Sequence, residues 1–425
     1  MRSALLAALM LTAAPALAHP KTAETGSAPS EDVRIRVPEG FSATVFARDL
    51  GCVRHIAIAE DGTLYAAMRQ RRCAAGDGGI VVVKDSDGDG MADAKAWHGD
   101  IEGTGLALHD GHLYFGADRR VVRYDLNEDG MPSADAQVIV QGFPRQRQHA
   151  SKPITFGPDG AMYVTVGAPS NACQERTRSP GSKGLKPCPQ LTAQAGIWRY
   201  KANETDQVHD PAARYVTGIR NAVALDWHGP AGKLVFANHG RDQLNSLWPA
   251  HYDVEDNAEL PGEEIHVVEA QGEDFGWPYT YWDQRQGRRM LAPEYGGDGE
   301  TTESEGYQDP DAAMPGHWGP NDLIIYTAEQ FPQAYRNGAL IAFHGSWNRA
   351  PLPQQGYNVV FVPMDAQGQV TGDPVVFADM FKGEEPLANP RNAQHRPMGL
   401  AVGPDGALYI ADSVKGWVWK VAYEG

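Results

Sequence analysis

Ile154-Thr155-Phe156-Gly157-Pro158-Asp159-Gly160-Ala161-Met162-Tyr163-Val164 reads as strand, turn, strand. Period-2 alternation on both sides of a Pro-Asp-Gly turn predicts a hairpin. Just before it runs Gln146-Arg147-Gln148-His149-Ala150-Ser151-Lys152-Pro153, which places a histidine at the mouth of a buried strand. An imidazole on such a rigid element can accept a proton near neutral pH. A loop histidine bonded to backbone is the plainer reading, and one histidine among fourteen does not decide the matter. Repetition decides it, because the hairpin recurs with basic residues at the same place.

Copies of the pattern cover 55–66 around Asp61-Gly62, 105–115 around Asp110-Gly111, 222–236, 335–343 and 399–412 around Asp405-Gly406. The turns at 61, 110 and 159 are 49 residues apart, after which the spacing loosens. Further strands lie between copies, such as Gly79-Ile80-Val81-Val82-Val83, Val121-Val122-Arg123-Tyr124 and Gly196-Ile197-Trp198-Arg199-Tyr200. Four strands per unit with a period of about 40–50 residues predict an all-β, six-bladed β-propeller. Val418-Trp419-Lys420-Val421 would close the ring beside an early strand. A β-sandwich pair is the alternative, and it would not repeat so evenly. The stretches 240–334 and 344–395 show little periodicity and read as loops over one face, often the functional one.

The ends and the composition narrow the setting. Arg2, an apolar run over 4–14 and Ala16-Leu17-Ala18 read as a secretory signal peptide over 1–18. Residues 19–32 read as a flexible lead-in, and 33–425 as the propeller. No later apolar run reaches the ~18 residues of a membrane span. Together these predict a periplasmic or secreted protein with no transmembrane segment. A formal charge of −17 argues against nucleic acid or an anionic membrane as partner. Four cysteines in an oxidising compartment suggest two disulfides. Cys52 and Cys73 flank the Asp61-Gly62 hairpin, and Cys173 and Cys188 bracket a polar loop, so the pairs 52–73 and 173–188 are expected.

The innermost strand of each blade lines the central shaft, so the residues just before each copy converge at one mouth. They are Arg54-His55, Gly103-Thr104, His149 to Lys152, Arg220-Asn221 and Arg396-Pro397. Arg54, Lys152, Arg220 and Arg396 would form a basic ring in an acidic chain, and such a ring calls for an anion. A flat, multiply carboxylated ligand suits it, because arginine binds carboxylates bidentately and stacks on planar rings. Separate salt bridges to nearby carboxylates are the alternative.

Thr217-Gly218-Ile219-Arg220-Asn221, Asp274-Phe275-Gly276-Trp277-Pro278, His344-Gly345-Ser346-Trp347-Asn348-Arg349 and Gln394-His395-Arg396-Pro397 resemble, in order and spacing, the glucose/sorbosone dehydrogenase family. The resemblance spans roughly 33–423 and leans toward the sorbosone and pyranose dehydrogenases. It implies a soluble six-bladed propeller that uses pyrroloquinoline quinone and calcium. It implies His149 as general base, taking the anomeric hydroxyl proton while hydride passes to the quinone. Arg220 and Asn221 match the family's cofactor-contacting pair and Arg396 its late arginine, with Arg349 and Arg54 carried over beside them. Family calcium sits on backbone carbonyls after the second strand of the fourth blade, here Gly240 and Arg241. This chain has His239-Gly240-Arg241 where the glucose enzyme has Gln-Gly-Pro, so the ligand set stays open.

Asp85-Ser86-Asp87-Gly88-Asp89-Gly90-Met91-Ala92-Asp93 matches the start of a calcium loop, with Asp85, Asp87, Asp89 and Asp93 in ligand positions but no glutamate at position 12. A polar hairpin tip is the other reading, and Asp125-Leu126-Asn127-Glu128-Asp129-Gly130 is a weaker version. The expected activity is oxidation of an aldose or sorbosone-like sugar to lactone or acid, with electrons leaving to a separate cytochrome or quinone. No Cys-x-x-Cys-His motif is present to hold a haem. The rivals are a propeller binding module and a calcium lactonase, the latter needing acidic and asparagine side chains around its metal.

Overall fold

The computed structural model describes residues 21–22, 34–69, 78–383 and 385–425. Among them the chain forms a six-bladed β-propeller. Blade one is Val53–Ile58, Leu64–Met68, Gly79–Lys84 and Ala94–His98. Blade two is Gly103–His109, His112–Ala117, Arg120–Asp125 and Gln137–Gln141, edged by Gln207–Val208. Blade three is Ile154–Phe156, Ala161–Val166, Gly196–Lys201 and Arg214–Thr217. Blade four is Ala224–His228, Lys233–Asn238, Glu263–Val267 and Ala312–Met314. Blade five is Pro320–Ile325, Ala339–Phe343, Asn358–Val362 and Val375–Ala378. Blade six is Pro397–Val402, Leu408–Asp412 and Val418–Tyr423, completed by the early strand Phe41–Ala47.

That last pairing closes the ring as expected, with Phe41 opposite Tyr423 and Val45 opposite Trp419. The recurrent turns explain themselves locally. Asp61 Oδ1 accepts the Thr63 N–H at 2.9 Å and Asp405 Oδ1 the Ala407 N–H at 3.1 Å. Gly62 and Gly406 follow at positive φ, which a side chain would resist. Apolar residues on both faces of each blade then meet the next blade. One cluster lies at each of the six blade junctions, for example Tyr163, Ile197 and Val216 of blade three against Leu225, Leu234 and Phe236 of blade four.

Two expectations are corrected. The stretches 240–334 and 344–395 are not loops throughout. They hold Glu263–Val267, Ala312–Met314 and Pro320–Ile325, then Asn358–Val362 and Val375–Ala378. The fifth copy at 335–343 contains only its second strand, and its inner strand is Pro320–Ile325. That strand escapes the apolar pattern because Asn321 and Asp322 are buried within it. The Asp322 carboxylate is satisfied by the Leu323 N–H at 2.9 Å and by Leu400 N–H of blade six at 2.8 Å.

The expected leader at 1–18 lies outside the described residues. Of the lead-in, Lys21–Thr22 pair in parallel with Val375 and Val376. No helix among the described residues is long and apolar enough to cross a membrane. Cys173 and Cys188 are bonded as expected, while the pair proposed for Cys52 falls on Cys73, which lies outside the described residues.

Candidate active site at the mouth of the propeller

In an antiparallel blade the inner strand begins at the face where the second strand ends. The connections at 167–195, 239–262 and 344–357 therefore crowd the face that carries the loop of His149. His149 itself takes a φ of 51°. Its Nδ1 lies 2.6 Å from the carbonyl oxygen of Ala168. A carbonyl only accepts, so Nδ1 carries the proton and Nε2 keeps its lone pair in the neutral ring. Gln146 holds the loop, its Nε2 sharing protons with the carbonyls of Gln148, His149 and Gly167 at 2.7–2.9 Å. Gly167 sits under both functional groups: a Cβ there would lie 2.6 Å from His149 Cβ and 2.9 Å from Asn221 Oδ1. Burial, then the Arg220 charge, hold the imidazole well below its ordinary value.

Arg220 and Asp242 form the centre of the site. Arg220 Nη2 donates to Asp242 Oδ2 at 2.8 Å and to Asn171 Oδ1 at 3.0 Å. Asn171 is fully buried. Its Oδ1 also accepts from Asp242 N at 2.9 Å, and its Nδ2 donates to Asp242 O at 2.9 Å. Asp242 further accepts from Arg178 Nη2 at 2.9 Å and Asn348 Nδ2 at 3.0 Å. Burial works to raise the Asp242 carboxyl, but Arg220, His317 and Arg178 outweigh it and hold it low.

Two more histidines border the shaft. His239 Nε2 lies 2.6 Å from Pro320 O, and His55 Nε2 2.8 Å from Asn321 O. Both are pushed down to about 4, by burial first. Arg54 contributes to each shift, so its charge reaches across from blade one to blade four. Arg396 Nη2 donates to the carbonyls of Gly345 and Ser346 and to Tyr357 Oη at 3.1–3.2 Å. Its guanidinium lies 5.1 Å from the centre of the Tyr357 ring.

Thus His149, Arg54, Arg220 and Asn221 come together, and Arg396 is tied to them through the segment whose Ser346 it binds and whose Asn348 binds Asp242, but two expected members do not join. Lys152 is fully buried, with Nζ donating to Ala150 O at 2.6 Å and lying 5.6 Å from the Phe143 ring centre. It points into the core between blades two and three rather than into the shaft. Arg349 is also buried, its guanidinium bound to Glu259 and to the carbonyls of Ala258 and Pro353. The mouth is also less basic than expected. Arg220 has Asp242, and Arg241 is paired with Glu294. Glu263 accepts from Gly240 N and Gly319 N, both at 3.0 Å, and burial pushes it up to about 8. Sequence reasoning missed Asn171, Arg178, Asp242 as a carboxylate, and Glu263. The one available signal was the Cys173–Cys188 bracket, which staples the loop carrying Arg178.

Far from this face, Asp85, Asp87 and Asp89 bring their carboxylates within 4.8 Å of one another. Asp93 does not join them and accepts the Ser86 N–H at 2.9 Å. The loop also satisfies itself, Asp85 taking the N–H groups of Gly88 and Gly90 at 2.8 and 2.9 Å.

A family model described as TrAA12-like matches residues 35–424. A calcium structure of the Trichoderma reesei Carbohydrate-Active Enzymes Family AA12 protein superposes with a TM-score of 0.72 at 18% identity, over 94% of this chain and 99% of that one. The holo form of the pyranose dehydrogenase PQQ domain from Coprinopsis cinerea gives 0.71 at 18% identity, over 93% and 98%. At such identity these likenesses carry the fold. An uncharacterized protein of Borreliella burgdorferi is 26% identical over 208 residues, 49% of this chain and 48% of its own, so the match spans about half of that relative.

Proposed function

This chain belongs to the TrAA12-like family, and on that footing we propose that it is a sugar oxidoreductase using pyrroloquinoline quinone and calcium. Its substrate is an aldose or a sorbosone-like sugar aldehyde, and its product a lactone or acid. The observation that carries this reading is the His149 imidazole, locked by Ala168 O in the tautomer that leaves Nε2 able to take a proton.

The residues fit the cofactor. Arg396 Nε is buried without a hydrogen-bond partner among the described residues, and an anion would satisfy it. Arg54, Arg220 and Arg396 would meet carboxylates, with Asn221 beside them. Around Gly240 the donors are hard oxygens, the carbonyls of Gly240 and Arg241 and the Glu263 carboxylate, which suit calcium. When bound, the quinone supplies a two-electron acceptor and calcium a Lewis acid beside it. His149 Nε2 would take the proton of the hydroxyl borne by the carbon that is oxidised, which for an open-chain aldehyde is a hydroxyl of its hydrate. Cofactor carboxylates would also offset the Arg220 charge and raise the imidazole toward its useful range.

Asp242 and Glu263 beside Asn171 and Asn221 favour, as a second reading, a calcium lactonase. The deciding experiment adds pyrroloquinoline quinone and calcium to the purified apoprotein and follows dye reduction over a sugar panel. A parallel arm gives it calcium alone with lactones. Sugar-dependent dye reduction supports the dehydrogenase, and lactone hydrolysis without dye reduction overturns it. Export to the periplasm and electron transfer to a separate acceptor complete the proposal.

A further inference from the structure

Trp347 is 57% exposed, on a segment that is otherwise anchored on both sides. On one side Ser346 is fully buried, with N donating to Gln355 O at 2.9 Å and Oγ to Gln354 Oε1 at 2.8 Å. The Ser346 carbonyl accepts from Arg396 Nη2 at 3.1 Å and from the Tyr357 hydroxyl. On the other side Asn348 Nδ2 donates to Asp242 Oδ1 at 3.0 Å, and Asn348 O accepts from Asn257 Nδ2 at 3.2 Å. Arg349 follows, buried and bound to Glu259. Single exposed apolar residues are ordinary on a protein surface. This one is held by neighbours that grip Arg396 and Asp242, the two sides of the mouth. Beside it, Asn348 Oδ1 is a buried acceptor with no hydrogen-bond partner among the described residues.

A pyranose matches both features. One face of the ring presents C–H bonds, which carry positive partial charge and are attracted to the negative face of an indole. Its rim presents hydroxyl donors. We propose that Trp347 is the stacking platform of the sugar subsite, with Asn348 Oδ1 accepting a sugar hydroxyl. This inference rests on the sugar-oxidoreductase reading and names what that site recognises: a ring-closed aldose.

The test uses the protein reconstituted with pyrroloquinoline quinone and calcium, as wild type, Trp347→Ala and Trp347→Phe. Calorimetry with methyl pyranosides measures binding without turnover, since they lack a free anomeric hydroxyl. Steady-state assays compare pyranoses with glyceraldehyde, which cannot close such a ring. Loss of an aromatic stack should raise the glycoside Kd and the pyranose KM roughly tenfold. Turnover number, glyceraldehyde KM and cofactor affinity should hold, and phenylalanine should recover part of the loss. Unchanged glycoside binding in Trp347→Ala overturns the platform, as does a change confined to the KM of the electron acceptor. If the wild type binds glycosides through Trp347 yet reduces no dye, the platform stands and the redox reading falls. If Trp347→Ala binds glycosides and turns over pyranoses like wild type, the platform falls and the redox reading stands.

Discussion

The imidazole Nδ1 of His149 lies 2.6 Å from the carbonyl oxygen of Ala168, nineteen residues away in the chain. That bond selects the tautomer and turns Nε2 away from its own loop. His149→Gln keeps the loop's polarity and removes the base. Turnover should fall about 100-fold or more, the usual size of a general-base contribution. Cofactor titration of the same variant should match wild type. Turnover near the wild-type level would remove His149 from the mechanism.

Arg220 and Arg396 should separate in stability although both are expected to hold cofactor. Arg220 neutralises the buried Asp242 at 2.8 Å. Arg220→Ala leaves that carboxylate to a partly exposed Arg178, and breaking a buried pair costs about 3–5 kcal/mol. The Arg396 guanidinium donates to two carbonyls and a tyrosine hydroxyl, all of them uncharged. Arg396→Ala should melt near wild type while binding the quinone roughly 10- to 100-fold more weakly. Melting curves and reconstitution titrations on both variants check this. Equal destabilisation would mean that Arg396 is scaffolding.

The pH profile carries the charge of Arg220. Burial first, then that charge, depress His149, and bound cofactor carboxylates offset only the second, so the acid limb of turnover should still lie below the ordinary histidine value of about 6.5 in wild type. Removing the charge raises the imidazole, and Arg220→Ala at saturating cofactor should move the limb to higher pH. Arg220→Lys keeps the charge and should leave the limb in place. A limb that moves equally in both variants, or in neither, would rule out this coupling.

Gly167→Ala tests how closely the base and Asn221 share space. The added methyl meets His149 Cβ at 2.6 Å and Asn221 Oδ1 at 2.9 Å. Overpacking of this kind costs about 1–3 kcal/mol. Turnover should fall more than the modest loss of melting temperature would suggest. A variant with wild-type kinetics would show that the loop relaxes freely.

Lys152 gives a stability prediction of definite sign. Burial brings its amine down to about 7, against an ordinary value of 10.5. Between those two values the unfolded chain binds the proton and the folded one does not. This group therefore makes stability rise with pH from about 7 toward 10.5, and it is a liability below 7. Lys152→Met should remove that slope and melt at or above wild type at pH 6, with cofactor affinity unchanged. Weaker cofactor binding would restore Lys152 to the mouth.

The six blades were readable because their causes are local. Asp-Gly turns need an Asx hydrogen bond and a positive φ, and a strand buried on both faces needs only a short run of consecutive apolar residues. The fifth inner strand was missed because Asn321 and Asp322 occupy buried positions. The partner that makes this tolerable, Leu400 N–H, is 78 residues away.

The site divides the same way. Propeller topology alone brings together residues that precede each inner strand, and His149, Arg220, Asn221 and Arg396 follow from that rule. The ion pairing does not. Whether Arg220 meets an empty shaft or Asp242 depends on a loop whose end is held by Asn171, from another blade's connection. Lys152 looked like a ring member, and Arg349 like a cofactor contact by resemblance, because charge and position in sequence say nothing of side-chain direction. Short-range chemistry, written in consecutive residues, determined the blades and the order in which they reach the mouth. Long-range pairing of buried charges was decided only when the blades closed, because each such group needs a partner that burial, not sequence spacing, puts within reach.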